Sequence, residues 1–193
     1  MYAQTPLSRT KEIDRLARRI VPGGIPVFVP VTPVPDAEVC ECFSNVKGHV
    51  GKHGGAPQYG WCIYVWPRVW MEMEFHCVWR KTNGKLVDIT PHHDNESVLL
   101  FLPDPSREYK GLSLDNLRFS LCKNPLVNRM IALGEKKMAI RNEHPIPNEI
   151  AIKAIAQVED DMNQIISQLH WRPERNDPCP CGSRKKVKQC CSQ

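Results

Sequence analysis

Four of the chain's nine cysteines fall within thirteen positions near its end: Cys179 and Cys181, then Cys190 and Cys191 after a gap of eight residues. A segment this short cannot build an apolar core, so whatever orders it must be a cross-link. Four thiols match the tetrahedral demand of a zinc ion. Cys179-Pro180-Cys181 supplies two ligands on a Pro/Gly turn, and Cys190 and Cys191 supply the others once the chain doubles back. Gly182 permits a positive φ in that turn, and Pro178 and Pro180 hold the approach extended. Disulfides are the competing use of such thiols. No apolar leader core opens the chain, and no apolar run is long enough to span a membrane. The expected compartment is therefore the cytoplasm, where thiols stay reduced and clustered cysteines are metal ligands. Adjacent Cys190 and Cys191 would also make an awkward disulfide. Zn²⁺ on Cys179, Cys181, Cys190 and Cys191 is the expectation.

The segment from Asn176 to Cys191 resembles the SEC-C motif, the small zinc-binding tail of the SecA preprotein-translocation motor. Both ends of the motif are present: Asn176-Asp177-Pro178-Cys179-Pro180-Cys181-Gly182-Ser183 and Lys185-Lys186-x-Lys188-x-Cys190-Cys191. Arg184 stands where the family often has glycine. The fourth ligand of the family is His or Cys, so the resemblance implies Cys191 in that role.

Residues 172–193 carry six Lys/Arg and two Asp/Glu. Four thiolates and one Zn²⁺ would offset about half of that excess, leaving a modestly basic knob suited to an acidic protein face or RNA. Residues 1–171 carry 20 basic and 19 acidic side chains, which excludes a global field for nucleic acid.

At 193 residues the chain has length for one sizeable core and a small appendage. Residues 1–146 read as an α+β domain, 147–171 as a long helix packing on it or extending from it, and 172–193 as the tail. Ile13, Leu16, Ala17 and Ile20 recur at helical spacing behind the capping residue Thr10. Gly24 to Val34 alternates apolar residues with prolines, the mark of an edge strand or extended arm. A helix is expected from about Asp36 to Val50, and a Gly-rich loop from Gly51 to Gly60 that includes His53. Trp61–Trp66 and Val69–Arg80 are rich in strand-forming residues. Lys85–Thr90 and Ser97–Leu102 follow as strands, then a loop from Pro103 to Pro125. Helices are expected over Asn128–Arg141 and Asn148–His170.

Cys42, His76 and Asp88 appear in the order and on the elements that a thiol nucleophile, its base and an orienting acid require. Cys42 lies at or just inside a helix start, where backbone N–H groups favour a thiolate. His76 sits on a strand, a rigid support for a base. Asp88 lies between apolar neighbours on the next strand, where a carboxylate is costly unless an imidazole N–H meets it. This order resembles the papain-like and transglutaminase-like arrangement of a helix-borne Cys followed by an antiparallel sheet carrying His and Asp. The pattern Cys42-Phe43-x-Asn45, Gly60-Trp61, His76-x-Val78-Trp79 and Val87-Asp88-Ile89-Thr90-Pro91 is similar to bacterial and phage proteins that join such a region to a SEC-C tail. The resemblance implies a cysteine hydrolase or acyl transferase, peptidase- or deamidase-like, acting on an amide or thioester. The usual oxyanion donor before the Cys is missing, and Asn45 and Gln58 are the candidates in its place. The zinc tail would recruit a protein substrate or partner. The alternative is a non-catalytic zinc-binding adaptor for protein or RNA.

The hairpin at Thr82-Asn83-Gly84 decides whether His76 and Asp88 can meet. A two-residue loop would set Trp79 opposite Asp88 and turn the acid to the wrong face. A three-residue loop sets Val78 opposite Asp88 and leaves His76 a diagonal neighbour on the same face. Glycine with positive φ favours the third position of such a loop, and Gly84 occupies it. The three-residue register is expected. Cys40 rivals Cys42 as nucleophile. Glu72, Glu74 and His76, with His92, His93 and Asp94, form a rival metal set. The tryptophans at 61, 66, 70 and 79 read as core and cleft wall.

Overall fold

The computed structural model describes residues 3–93, 95–111, 114–144, 146, 148–169, 175–177 and 185–189. The protein is a mixed α+β structure. Its elements are α1 (Lys11–Ile20), β1 (Val27–Pro30), α2 (Cys42–His53), β2 (Ala56–Trp66), β3 (Trp70–Arg80), β4 (Leu86–Val87), β5 (Val98–Pro103), β6 (Leu117–Ser120), α3 (Pro125–Glu143) and α4 (Glu149–Gln168). A single 3₁₀ turn, Val187–Gln189, follows. The chain divides into two compact units: residues 1–65 with 72–117, and residues 66–71 with 118–193.

The first unit is built on strands in the order β1-β5-β2-β3-β4. β5 runs antiparallel to β1, with Val29 opposite Leu99, and to β2, with Trp61 opposite Leu102. Leu99, Leu100, Phe101 and Leu102 are all buried, as a continuous apolar run flanked by two strands should be. Pro30 sits on the edge strand, where a missing N–H costs least. Gly60 is required by β5: a Cβ there would run into the Leu102 carbonyl oxygen. The Gly-rich stretch is therefore not the loop the sequence suggests. It is the end of α2 and the start of β2, and His49 and His53 lie in the last turns of that helix, rings 4.3 Å apart.

α2 begins at Cys42, six residues after the expected start at Asp36. Pro35 and a positive φ of 62° at Cys40 keep the preceding segment out of a helix. Glu41 makes no side-chain cap. Asn45 instead braces the segment leading into the helix: its Oδ1 accepts the Glu38 N–H at 2.9 Å, and its Nδ2 donates to the Glu38 carbonyl at 2.8 Å. α2 survives two internal glycines because Cys42 and Val46 are buried against Cys77 and Ile89, so packing overrides weak propensity.

In the second unit Asn124 caps α3 through the Leu126 N–H, with Pro125 at the first helical position, and Asn148 caps α4 through the Ala151 N–H. Val127 and Met130 of α3 and Ala151, Val158 and Ile165 of α4 are buried, and Lys137 pairs with Glu159 between the two helices. β6 lies inside the stretch read as loop. Beyond α4 the Val187 N–H donates to the Asp177 carbonyl at 3.0 Å and the Lys188 N–H to the Arg175 carbonyl at 3.1 Å. The tail thus doubles back on itself, as two separated ligand pairs require. Among the described residues no helix is long and apolar enough to cross a membrane.

Candidate active site

The β3–β4 hairpin has the three-residue register. Trp79 is opposite Val87 and Arg80 opposite Leu86, the Lys81 N–H reaches the Lys85 carbonyl at 2.9 Å, and Gly84 has φ 81°. Continuing that register sets Val78 opposite Asp88 and puts Asp88 on the face of His76. Asp88 is also held by its own backbone. Its N–H donates to the Pro30 carbonyl at 2.9 Å and its carbonyl accepts the Thr32 N–H at 2.7 Å, in a parallel bridge centred on Val31.

The carboxylate is 0% exposed. Its Oδ2 lies 2.8 Å from His76 Nε2 and 2.8 Å from His92 Nε2, and its Oδ1 accepts the Thr90 N–H at 2.9 Å. Burial alone would raise the Asp88 pKa. The hydrogen bonds from His76 and His92, with the His76 charge and the Thr90 N–H, outweigh it and hold the acid ionised, well below the usual carboxylate range.

His76 is 6% exposed. Burial pushes its pKa down. The negative charge of a Cys42 thiolate, the hydrogen bond to Asp88 and a hydrogen bond to Cys42 together win, and the imidazolium is held well above the usual histidine range. Cys42 and Asp88 therefore act on one ring. Nε2 is already committed to Asp88, so Nδ1 is the nitrogen left for the sulfur.

Cys42 is the first residue of α2 and 4% exposed. The first-turn N–H groups of a helix have no partner within it, and no side chain of Glu41 fills that place. Cys40, the rival thiol, is exposed on the positive-φ turn, with its N–H donating to the Pro91 carbonyl at 3.2 Å.

Asn45 and Gln58 are committed elsewhere. Asn45 braces Glu38 and reaches Thr90 Oγ1 at 3.3 Å, and Gln58 Nε2 donates to the Tyr59 carbonyl at 3.0 Å. The rival metal set does not assemble as the sequence suggests. Glu72 accepts from Asn116 and Glu74 is exposed on β3. Among the described residues, the cluster with metal-sized spacing is His76, Asp88 and His92, whose ligand atoms lie within 4.8 Å of one another. A divalent ion there would displace both Nε2 protons, whereas the hydrogen bonds already satisfy all three side chains. Asp94 lies outside the described residues.

His92 is the site residue that sequence reasoning did not pair with Asp88. The signal was its spacing: residues 88, 90 and 92 alternate to one side of an extended segment, and Thr90 too is buried beside the acid. The tryptophans behave as read. Trp61, Trp66 and Trp70 are buried, Trp61 Nε1 donates to Asp104 Oδ2 at 3.0 Å, and Trp79 Nε1 donates to the Gly54 carbonyl at 3.0 Å. Phe43, next to Cys42, stacks on Tyr109 with ring centroids 3.9 Å apart and meets Phe75 at a tilt, centroids 5.4 Å apart.

Residues 175–193 match the SEC-C motif. The protein translocase subunit SecA of Campylobacter fetus subsp. fetus is 36% identical over 90 residues, 47% of this chain and 10% of that protein. SecA of Wolinella succinogenes is 34% identical over 99 residues, 47% and 11% of the two chains. SecA of a Sulfurovum species is 73% identical over 22 residues, 11% and 2%. The chain thus spans about a tenth of the length of the first two of these curated relatives. No solved structure matches it. The SEC-C match marks a metal-binding type of segment. The expected ligands Cys179, Cys181, Cys190 and Cys191 lie outside the described residues.

Proposed function

We propose that the first unit is a cysteine hydrolase or acyl transferase of papain-like or transglutaminase-like design, acting on an amide or thioester. What supports this reading is His76, hydrogen-bonded to Asp88 at 2.8 Å and held charged in part by Cys42, which is buried at the start of α2. Cys42 gives its proton to His76 Nδ1 and attacks the carbonyl carbon. Charge on the carbonyl oxygen is met by the unpartnered N–H groups at the start of α2, in place of a side-chain donor. Collapse breaks the bond to the leaving amine or thiol, which takes the proton from His76. Water or an acceptor nucleophile then attacks the acyl-sulfur carbon, returns a proton to His76 and releases the product. Asp88 keeps the ring in the Nε2–H tautomer throughout.

Labelling with an iodoacetamide probe tests this. One hyper-reactive thiol at Cys42, lost in Cys42→Ala and dependent on His76, is the expected result, and uniformly slow thiols outside the tail would sink it. The small exposure of Cys42 supports the second reading, an idle shell with an adaptor tail, and the same experiment separates the two. Tyr109 covers Phe43, the residue after the nucleophile, with ring centroids 3.9 Å apart. Tyr109→Ala uncovers Phe43 and should speed alkylation of Cys42. An unchanged rate would mean that the sulfur is screened from elsewhere.

The tail is assigned Zn²⁺, held by Cys179, Cys181, Cys190 and Cys191. Four thiolates are a closed structural donor set, and the hydrogen bonds joining 175–177 to 187–188 fit the fold such an ion would hold. The ion would order the knob and take no part at Cys42. Its basic surface would dock a protein partner or RNA in a reducing compartment such as the cytoplasm. Elemental analysis should find one zinc per chain in the wild type and none in Cys179→Ser/Cys181→Ser. A full equivalent in that variant would refute the ligand set.

A further inference from the structure

We infer that His92 is a positioning residue of this centre: it shares one carboxylate oxygen of Asp88 with His76, fixing the acid and moderating its hold on the His76 ring. The inference rests on the nucleophile reading of Cys42 and adds a fourth side chain to it.

Both imidazoles approach the same oxygen. His76 Nε2 and His92 Nε2 each stand 2.8 Å from Asp88 Oδ2, with ring centroids 5.6 Å apart. An ionised carboxylate only accepts, so each nitrogen at that distance must present a hydrogen. Both rings are then Nε2–H. Two donors occupy the two lone pairs of Oδ2, and the Thr90 N–H holds Oδ1. One imidazole would suffice to satisfy a buried acid. The second is enclosed as well, with its side chain 11% exposed.

The segment that carries His92 is anchored. The Pro91 carbonyl accepts the Cys40 N–H at 3.2 Å, which ties it to the residue two before the nucleophile, and the His92 carbonyl accepts the Asn95 N–H at 3.3 Å. The titratable groups that act with Asp88 or His76 from the packed elements are Cys42 of α2, Cys62 of β2 and Cys77 of β3. None of these other groups is shown donating a hydrogen bond to the acid.

Two donors on one oxygen divide its pull. Without His92 the whole of Oδ2 turns to His76, and the imidazolium form of His76 gains. In His92→Ala the alkaline inflection of Cys42 alkylation against pH should move up by about half a unit. In His92→Gln, which keeps a donor at the same reach, it should stay near the wild-type position.

The experiment uses the full zinc-loaded chain labelled with ¹⁵N-histidine. Above the alkaline inflection, long-range ¹H–¹⁵N spectra should show His76 and His92 both as Nε2–H, with one such signal lost in His92→Gln, and the iodoacetamide profile should move in His92→Ala as stated. An Nδ1–H tautomer at His92 overturns the inference. So does a His92→Ala variant that loses thermal stability while the inflection of its folded fraction stays in place. A second equivalent of zinc that disappears in His92→Gln also overturns it, because the three side chains would then be ligands. A wild-type profile with no His76-dependent inflection sinks the nucleophile reading instead, and the ring signals still decide whether His92 holds Asp88.

Discussion

His76→Ala slows alkylation of Cys42 at pH 7 by roughly a hundredfold, the lower end of what a positioned base contributes. The variant removes the imidazole that Cys42 acts on and leaves the residues at the start of α2 unchanged. Cys40 serves as the internal control, since it is exposed and lies outside the helix. In the wild type the sign of the pH dependence follows from the ring. Cys42 and Asp88 hold the His76 pKa well above its ordinary 6.5, against the opposing effect of burial. The imidazolium therefore persists through neutral pH, and the alkaline inflection falls well above 6.5. Equal rates in wild type and variant across the pH range would exclude His76 as the base.

Asp88→Ala destabilises the fold by about 3–5 kcal/mol, the range for removing one partner from a buried charged pair. Three donors lose their acceptor: two imidazole N–H groups and the Thr90 N–H. Chemical denaturation against pH checks both size and sign. The folded pKa of Asp88 lies below its ordinary 3.8. Its contribution is therefore complete above about pH 4 and is lost as pH falls through the folded value. His76 works in the other direction. Its folded pKa is raised, so its contribution is complete below 6.5 and is lost as pH climbs through the folded value. The gap between wild type and Asp88→Ala should be widest between those limits. A gap under about 1 kcal/mol at pH 6 would mean that the two rings find other acceptors.

The alternation of His76 with its neighbours, and Gly84 at the third loop position, were enough to place the acid on the face of the base. These are local rules, and a hairpin obeys them whatever surrounds it. The start of α2 was legible only in part: Cys42 was read at or just inside a helix start, while the helix was drawn from Asp36. Nothing near Asp36 announces that the helix waits until Cys42, because Asn45 secures that end by reaching back seven residues to Glu38. Nor do Gly48 and Gly51 advertise a helix. Burial of Cys42 and Val46 supplies what propensity withholds. β6 was hidden in a stretch whose composition reads as connector. His92 was seen but assigned to a different group, since residues 92 and 93 both carry histidine and sequence alone does not say which one turns toward the acid. The SEC-C motif of the tail was readable because its paired cysteines stand at a distinctive spacing.

The backbone clamp on Asp88 carries a consequence for timing. Pro30 and Thr32 grip a residue more than fifty positions downstream, and a closure that long comes late when a chain finds its shape. Until the first strand has docked, the carboxylate has no fixed address and the sulfur no tuned neighbour. A nascent or half-collapsed chain would thus carry an ordinary thiol. The onset of rapid labelling at residue 42 during refolding would then serve as a clock for the last step of assembly.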